Sequence, residues 1–325
     1  MWAESHHRRL KRILAAAVAL AVGVGEGHAE DTGSISVAIA NCGTTVQVGA
    51  PPARAIAMNQ GATEILLELG LESRIAGTAY LDDVSIYAPL APIYASVPVI
   101  AKKYPSREVV LAAKPDLVYA SYFSAFDGAA AGSRGSLAER GIASYLSPSD
   151  CKARSEPISF DDVFQEIREV GRIFAVPERA ERVVLDLTRR LDDVRRQVAA
   201  RGTAPSVLWL DGTGSAPRVG GSNGSPGLIL RTAGTRNVFE EIPRAWGEGS
   251  WEQVLASDPD FIVLVDAAWD PASAKHAALA HEPLASLRAV RTHRYVTIPF
   301  ASTTPSFRNL DAVEALVRAI EDVPR

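Results

Sequence analysis

From Arg54 onward the chain alternates short apolar runs with stretches whose apolar residues recur at steps of three and four. "RAIAMN" reads as a buried strand, Thr63–Leu69 as a helix stopped by Gly70, and "RIAGTAY" and "VPVIA" as the next strands. A unit then appears that the chain repeats later. "SREVVLAAKPDLVYAS" (Ser106–Ser121) and "SWEQVLASDPDFIVLV" (Ser250–Val265) each place a Ser two residues before a Glu, then a helical pattern, then Pro-Asp and a run of strand formers. Ser106 and Ser250 are the predicted N-caps. "SLAERG" and "IASYL" continue the helix–strand rhythm, which is the mark of βαβ units and a parallel sheet.

The rhythm breaks at Ser159. "SFDDVFQEIREVGRIFAV" opens with Ser159 and Asp162 spaced as a capping box. A longer amphipathic helix starts at Pro177, with Ala180, Val184, Leu187, Leu191, Val194 and Val198 on one face, and Gly202 stops it. At 1.5 Å per residue it is about 36 Å long, enough to run along a whole domain. The alternation then resumes with "SVLWLD", a Gly-rich stretch read as a substrate-side loop, "LILRTAG", "NVF", the second repeat, "RYVTIP" and a last helix, "NLDAVEALVRAIEDV". The predicted architecture is therefore two α/β lobes, 35–158 and 203–325, with connecting helices over 159–202.

Residues 1–29 stand apart from both lobes. "HHRRLKR" is a basic n-region, Ile13–Val24 is apolar but too short to span a bilayer, and Gly27-His28-Ala29 has the form of a cleavage site. This predicts an exported protein without a lipid anchor. The whole chain carries 34 Lys+Arg against 38 Asp+Glu. Removal of four basic and two acidic residues leaves 30 against 36, a net of −6. Such an acidic surface argues against nucleic-acid partners.

Cys42 and Cys151 are the two cysteines, both beside predicted strand ends of the first half, and an exported chain predicts that they pair. The histidines beyond residue 29, His276, His281 and His293, all fall in the second half, a poor pattern for direct metal capture. Gly212-x-Gly214 lacks the third glycine of a dinucleotide loop, and no nucleophile–base set stands out, so neither a resident metal or cofactor nor a catalytic residue is expected. Aromatic and cationic residues instead follow the predicted strands: Tyr80, Lys102, Lys103, Tyr104, Tyr122 and Phe123 in the first half, and Trp269, Phe300, Phe307 and Arg308 in the second, where Trp246 also precedes the repeated unit. Ligands of open α/β sheets sit at those carboxyl ends.

The stretches "RAIAMNQGATEILLELGLESRIAGTAY", "YPSREVVLAAKPDLVYASY", "GGSNGSPGLILRTAGTRNVFE" and "WGEGSWEQVLASDPDFIVLV" resemble the periplasmic binding proteins of the iron–siderophore, haem and vitamin B12 importers, the class with a helical backbone. The resemblance spans nearly the whole chain after residue 29. It implies two Rossmann-like lobes with mainly parallel sheets, joined by one long rigid α-helix at about Pro177–Arg201. It also implies a small-molecule ligand in the cleft, a periplasmic and monomeric receptor, and an ABC permease dimer with its ATPase as partner. "NQGATEILLELGL" together with "NCG" and "YLSPSDC" is similar to a branch whose ligands are ferric siderophores, corrinoids or a deazaflavin-type precursor. A ferric siderophore leads, with corrinoid, haem or the deazaflavin precursor as alternatives. An exported enzyme using the same cleft and a signalling receptor are readings of other classes. The ligand-facing set is then Tyr80, Lys103, Tyr104, Tyr122, Trp246, Phe300 and Arg308. Trp246 is placed where cobalamin receptors carry a pocket Trp, and Glu108 and Glu252 where the family's glutamates meet permease arginines.

Overall fold

A hairpin opens the described chain, β1 (Val37–Asn41) paired antiparallel with β2 (Thr44–Val48). The computed structural model describes residues 36–81, 86–152, 154 and 156–323, so the segment read as a signal peptide lies outside the described residues. The first lobe continues with β3 (Ala55–Met58), α1 (Gln60–Glu68), β4 (Ile75–Ala79), α2 (Ala91–Tyr94) and β5 (Val99–Ala101). It closes with α3 (Arg107–Ala112), β6 (Leu117–Ala120), α4 (Arg134–Ala138) and β7 (Ala143–Leu146). Two helices follow, α5 (Phe160–Ile173) and α6 (Pro177–Arg201). The second lobe holds β8 (Ser206–Thr213), β9 (Pro217–Gly220), α7 (Gly224–Thr232), β10 (Arg236–Asn237), β11 (Trp246–Glu248) and α8 (Trp251–Ser257). It ends with β12 (Phe261–Asp266), α9 (Ala272–Leu279), α10 (Arg288–Arg291), β13 (Tyr295–Pro299) and α11 (Asn309–Glu321).

The first sheet runs β5-β4-β3-β6-β7, all parallel. The second runs β11-β9-β8-β12-β13 with β10 beside β8; β8, β10, β12 and β13 are parallel, and β9 is antiparallel to both neighbours. The central strands β3, β6 and most of β12 are buried on both faces, so they read as continuous apolar runs and their alternate residues enter different cores. Ala55, Ala57, Leu117 and Tyr119 join Val207, Trp209, Val263 and Ile298 in one cluster that continues through α1, α5, α6, α7 and α11. Ile56, Met58, Val118 and Ala120 pack under the outer face of the first sheet, and Leu208, Leu210, Ile262 and Leu264 under that of the second.

Helix α6 has the bounds its sequence predicts. Pro177 opens it, and Gly202 closes it at φ 69°, a left-handed position that suits glycine. Ala180, Val184, Leu187, Leu191 and Val194 are buried, while the opposite face carries i,i+3 pairs such as Asp186–Arg189 and Asp192–Arg195. Exposed pairs of this kind contribute a few tenths of a kcal/mol each, so the buried stripe decides the helix. Arg190 ties α6 to α11 through Asp311 at 2.6 Å and Glu314 at 2.9 Å, and α5 packs it against the first lobe. The two lobes are joined through this helix.

The hairpin is fastened to the first lobe in two ways. Asn41 exchanges hydrogen bonds with the Leu146 backbone (2.8 and 3.0 Å), and the buried Arg134 guanidinium donates to Asn41 and Ser144. Beside them Cys42 and Cys151 form the expected disulfide, with Cα atoms 5.0 Å apart.

The stretch read as a Gly-rich loop is partly strand. The end of β8 and all of β9 lie inside it, and β9 pairs antiparallel with β8 on one side and with the later β11 on the other, at the edge of the second sheet. Its glycines serve close approach. A Cβ on Gly220 would stand 2.7 Å from the Trp209 ring, and one on Gly221 2.2 Å from the Arg244 carbonyl oxygen. Helix α1 likewise begins at Gln60 rather than Thr63, because its first turn is buried and carries no exposed face to reveal a helical period.

Candidate functional site

In the first sheet the strands succeed one another outward in both directions from the β3–β6 pair, so the strand order reverses there. A crevice at the carboxyl ends of such a pair is where open α/β sheets bind ligands. Asn59 ends β3, Tyr80 ends β4 and Ser121–Ser124 follow β6. Tyr80 takes φ 51°, and its ring meets the Tyr104 ring edge-on, centroids 4.6 Å apart at 79°. The Tyr104 hydroxyl donates to Asn59 Oδ1 at 3.1 Å and lies 3.0 Å from Ser124 Oγ. Three expected residues, Tyr80, Tyr104 and the half-buried Tyr122, thus fall on one wall, with the exposed Lys103 beside them. Phe123 is turned to Lys152, whose ammonium lies 3.8 Å from the ring centre.

The second sheet reverses between β8 and β12, and its carboxyl ends present a second aromatic pair. Phe300 follows β13 and meets Trp269 edge-on, centroids 4.8 Å apart at 71°. Trp269 is 64% exposed, an unusual cost for so large an apolar ring. Its turn is nonetheless firmly held. Ala267 and Asp270 bridge across it, and Lys275, fully buried, donates to the Asp270 carbonyl at 2.6 Å and reaches the Asp270 carboxylate at 3.1 Å. At the end of β8, Asp211 accepts from Arg218 at 3.0 Å, and burial raises the pKa of its carboxyl.

Between the two walls, Pro305–Ser306 seat on the start of α1, where a Cβ on Gly61 would come 2.4 Å from the Pro305 carbonyl oxygen. Arg308 lies in this floor and corrects an expectation. It is 7% exposed, its Nη1 donates to Glu64 Oε1 at 3.1 Å, and its guanidinium stands 5.4 Å from the centre of the Tyr87 ring. Glu64 is fully buried, and its Oε1 also accepts from Gln60 Nε2 at 3.0 Å and the Tyr87 backbone N–H at 2.8 Å. Burial raises the Glu64 pKa against the opposing pull of Arg308. The cation is therefore spent on an internal carboxylate that joins the lobes, and Arg308 leaves the ligand-facing set.

Among the described residues, no group of three or more His, Cys, Asp or Glu could hold a metal ion, and no helix is long and apolar enough to cross a membrane. A profile of the periplasmic binding protein family matches residues 56–301. The chain belongs to the periplasmic binding protein family. A vitamin B12-binding protein from Photorhabdus laumondii is 25% identical over 217 residues, 66% of this chain and 71% of that one. The crystal structure of a periplasmic binding protein from Veillonella parvula superposes with a TM-score of 0.79 at 25% identity, covering 90% of this chain and 99% of that one. An ABC-type Fe3+-hydroxamate transport protein from Saccharomonospora viridis gives 0.74 at 26%, covering 87% and 98%. These relatives are solute-binding proteins rather than enzymes.

Two further expectations concern the rim of this binding protein. Glu108 and Glu252 sit in the first turns of α3 and α8, and both are exposed. Hydrogen bonds hold their carboxyl pKa values below the ordinary one: for Glu108 chiefly from the Ser106 hydroxyl, and for Glu252 from its own backbone N–H and then the Ser250 hydroxyl. Both carboxylates are thus charged, at matching points of the two repeats. Trp246 opens β11 opposite Gly220, half-buried at mid-height on the sheet edge, and its indole N–H has no acceptor among the described residues.

Sequence reading missed Asn59 and left Trp269 and Lys275 without roles. Asn59 reads in the sequence as the end of the strand "RAIAMN", Trp269 as one of several aromatic residues after strands, and the burial of Lys275 follows from a turn that only the fold closes.

Proposed function

We propose that this binding protein captures a bulky metal chelate, a ferric siderophore of the hydroxamate kind, between its two lobes in the periplasm and delivers it to an ABC permease dimer. The observation that carries this reading is the pair of aromatic walls at the carboxyl ends of both sheets, Tyr80–Tyr104 on one and Trp269–Phe300 on the other. Aromatic faces cover the apolar surface of a chelate while their polar tips meet its oxygens. Charge narrows the ligand further. Arg308 and Arg218 are paired with Glu64 and Asp211, which leaves the exposed Lys102, Lys103 and Arg244 at the rim. An aromatic site whose two arginines are paired with carboxylates suits a ferric hydroxamate, whose iron centre carries no net charge, better than a polyanionic catecholate. The Saccharomonospora viridis relative, named for Fe3+-hydroxamate transport, supports the same choice.

A corrinoid is the second reading, favoured by the relative named as a vitamin B12-binding protein and by Trp246 with its unpaired N–H. Tyr122, Lys103 and Trp246 complete the proposed ligand set. Glu108 and Glu252, one per lobe, are the proposed contacts to arginines on the two permease copies, where rim charges set orientation and association rate. Fluorescence titration with ferrioxamine B, ferric enterobactin, haemin and cyanocobalamin tests the assignment. Ferrioxamine B is expected to quench most tightly, and Trp246→Ala to weaken binding about tenfold or more without unfolding the protein. Tightest binding of ferric enterobactin would overturn the charge argument.

A further inference from the structure

Asn59 is the least comfortable residue of the cleft. Its backbone lies at φ 73°, ψ 159°, a region in which essentially only glycine rests without strain. Seven non-glycine residues take positive φ among those described. Cys42 is in the hairpin turn, and Lys114, Ala175, Asp258 and His293 are at helix ends, where left-handed residues are common. Asn59 and Tyr80 instead terminate the neighbouring parallel strands β3 and β4.

The side chain adds a second cost. Asn59 is 1% exposed, and its Nδ2 has no acceptor among the described residues. Asn is among the best N-cap residues, yet this one, directly before α1, makes no side-chain cap bond. Ser121 Oγ from the end of β6 accepts the Ala62 N–H at 3.0 Å and serves α1 in its place. The carboxamide is thereby released for one contact, Oδ1 to the Tyr104 hydroxyl at 3.1 Å, in a ring that Tyr80 touches edge-on. Glycine would remove both the strained side chain and the orphan donor. Stability does not account for asparagine here.

We propose that Asn59 is a positioning residue for the ligand-facing tyrosines, its strained backbone holding the carboxamide where it fixes Tyr104 and, through that ring, Tyr80. This rests on the cleft reading above, and it adds the residue at the strand-order reversal that sets the wall's shape. A merely structural residue and a positioning residue part company on substitution. Asn59→Gly relieves the strain and is expected to melt about 2–5 °C above the native protein. Asn59→Ala keeps the strained backbone and is expected to melt below it. Both are expected to bind ferrioxamine B, or cyanocobalamin if that is the probe the native protein binds, about tenfold more weakly. Tyr104→Phe should lose as much, with Asn59→Gly adding nothing on top of it.

The test measures melting curves and probe titrations on five proteins, the native one, the three single variants and the Asn59→Gly/Tyr104→Phe double variant, with 19F spectra of 3-fluorotyrosine-labelled native, Asn59→Gly and Tyr104→Phe protein free of ligand. Asn59→Gly is expected to shift or broaden the Tyr104 resonance, assigned by its loss in Tyr104→Phe. A lowered melting temperature for Asn59→Gly, or undiminished probe affinity in both Asn59 variants, overturns the proposal. If the native protein binds neither probe, the ligand assignment fails alone. The fluorine spectra still decide the positioning role, and an unmoved Tyr104 resonance sinks it.

Discussion

Replacing Arg308 by Met separates an internal clamp from a ligand contact. Glu64 and Arg308 come from different lobes, at 0% and 7% exposure, and meet at 3.1 Å. Without the guanidinium, the Glu64 carboxylate keeps Gln60 Nε2 and the Tyr87 N–H on one oxygen, while the other has no partner among the described residues. Leaving a buried charge uncompensated costs about 3–5 kcal/mol. Urea unfolding should therefore show the midpoint lowered by that energy divided by m, with m itself unchanged. Glu64→Gln combined with Arg308→Met removes the stranded charge and should recover most of the loss. The sign of the pH dependence follows from the raised Glu64 pKa. A carboxyl whose pKa is raised by folding is most favourable when protonated, so its contribution is present at low pH and lost as pH rises. Taking Arg308 away raises that pKa further, and the deficit should be larger at pH 8 than at pH 5. Unchanged stability together with collapsed ferrioxamine B binding would refute this account and return Arg308 to the ligand.

Cys42–Cys151 closes a span of 109 residues, for which the chain-entropy model gives about 4–5 kcal/mol; reduction should cost this much, and finding two free thiols in unreduced, unfolded protein would contradict it. Glu166 on α5 is buried against the Tyr119 and Ser147 hydroxyls at 2.6 and 2.8 Å, and burial lifts its pKa to about 7. The native state then holds a proton that the unfolded chain has lost between about pH 4.5 and 7, so stability should fall by about 1.4 kcal/mol per pH unit across that window. Glu166→Gln should flatten this slope, and an unaltered slope would assign it to other groups. Reversing both rim charges, Glu108→Arg with Glu252→Arg, should abolish uptake in a strain lacking the native gene while leaving ligand affinity and melting temperature nearly unchanged; normal uptake would reduce both residues to helix-start charges.

What the sequence made legible is what local rules control. The bounds of α6 follow from Pro177, Gly202 and a stripe of five buried residues, and the two repeats fold alike because each has a serine at the helix start and Pro-Asp after it. Of the two serines only Ser250 accepts a cap bond, from the Gln253 N–H. The antiparallel edge of the second sheet was hidden because Gly220 and Gly221 look flexible until the Trp209 ring and the Arg244 backbone close on them. Arg308 misled for a related reason. An arginine after a strand looks available until Glu64, 244 residues away in the chain, is brought against it. The Tyr80–Tyr104 and Trp269–Phe300 contacts likewise join residues from separate loops. Sequence could place those residues at strand ends but could not pair them.

The most direct test of the central claim is a co-crystal structure with ferrioxamine B. The chelate is predicted between the lobes, against Tyr80 and Tyr104 on one side and Trp269 and Phe300 on the other. Density for it elsewhere would contradict the account, for instance in the 710 Å³ groove lined by Arg201, Asp260 and Arg294 at the amino ends of β8 and β12.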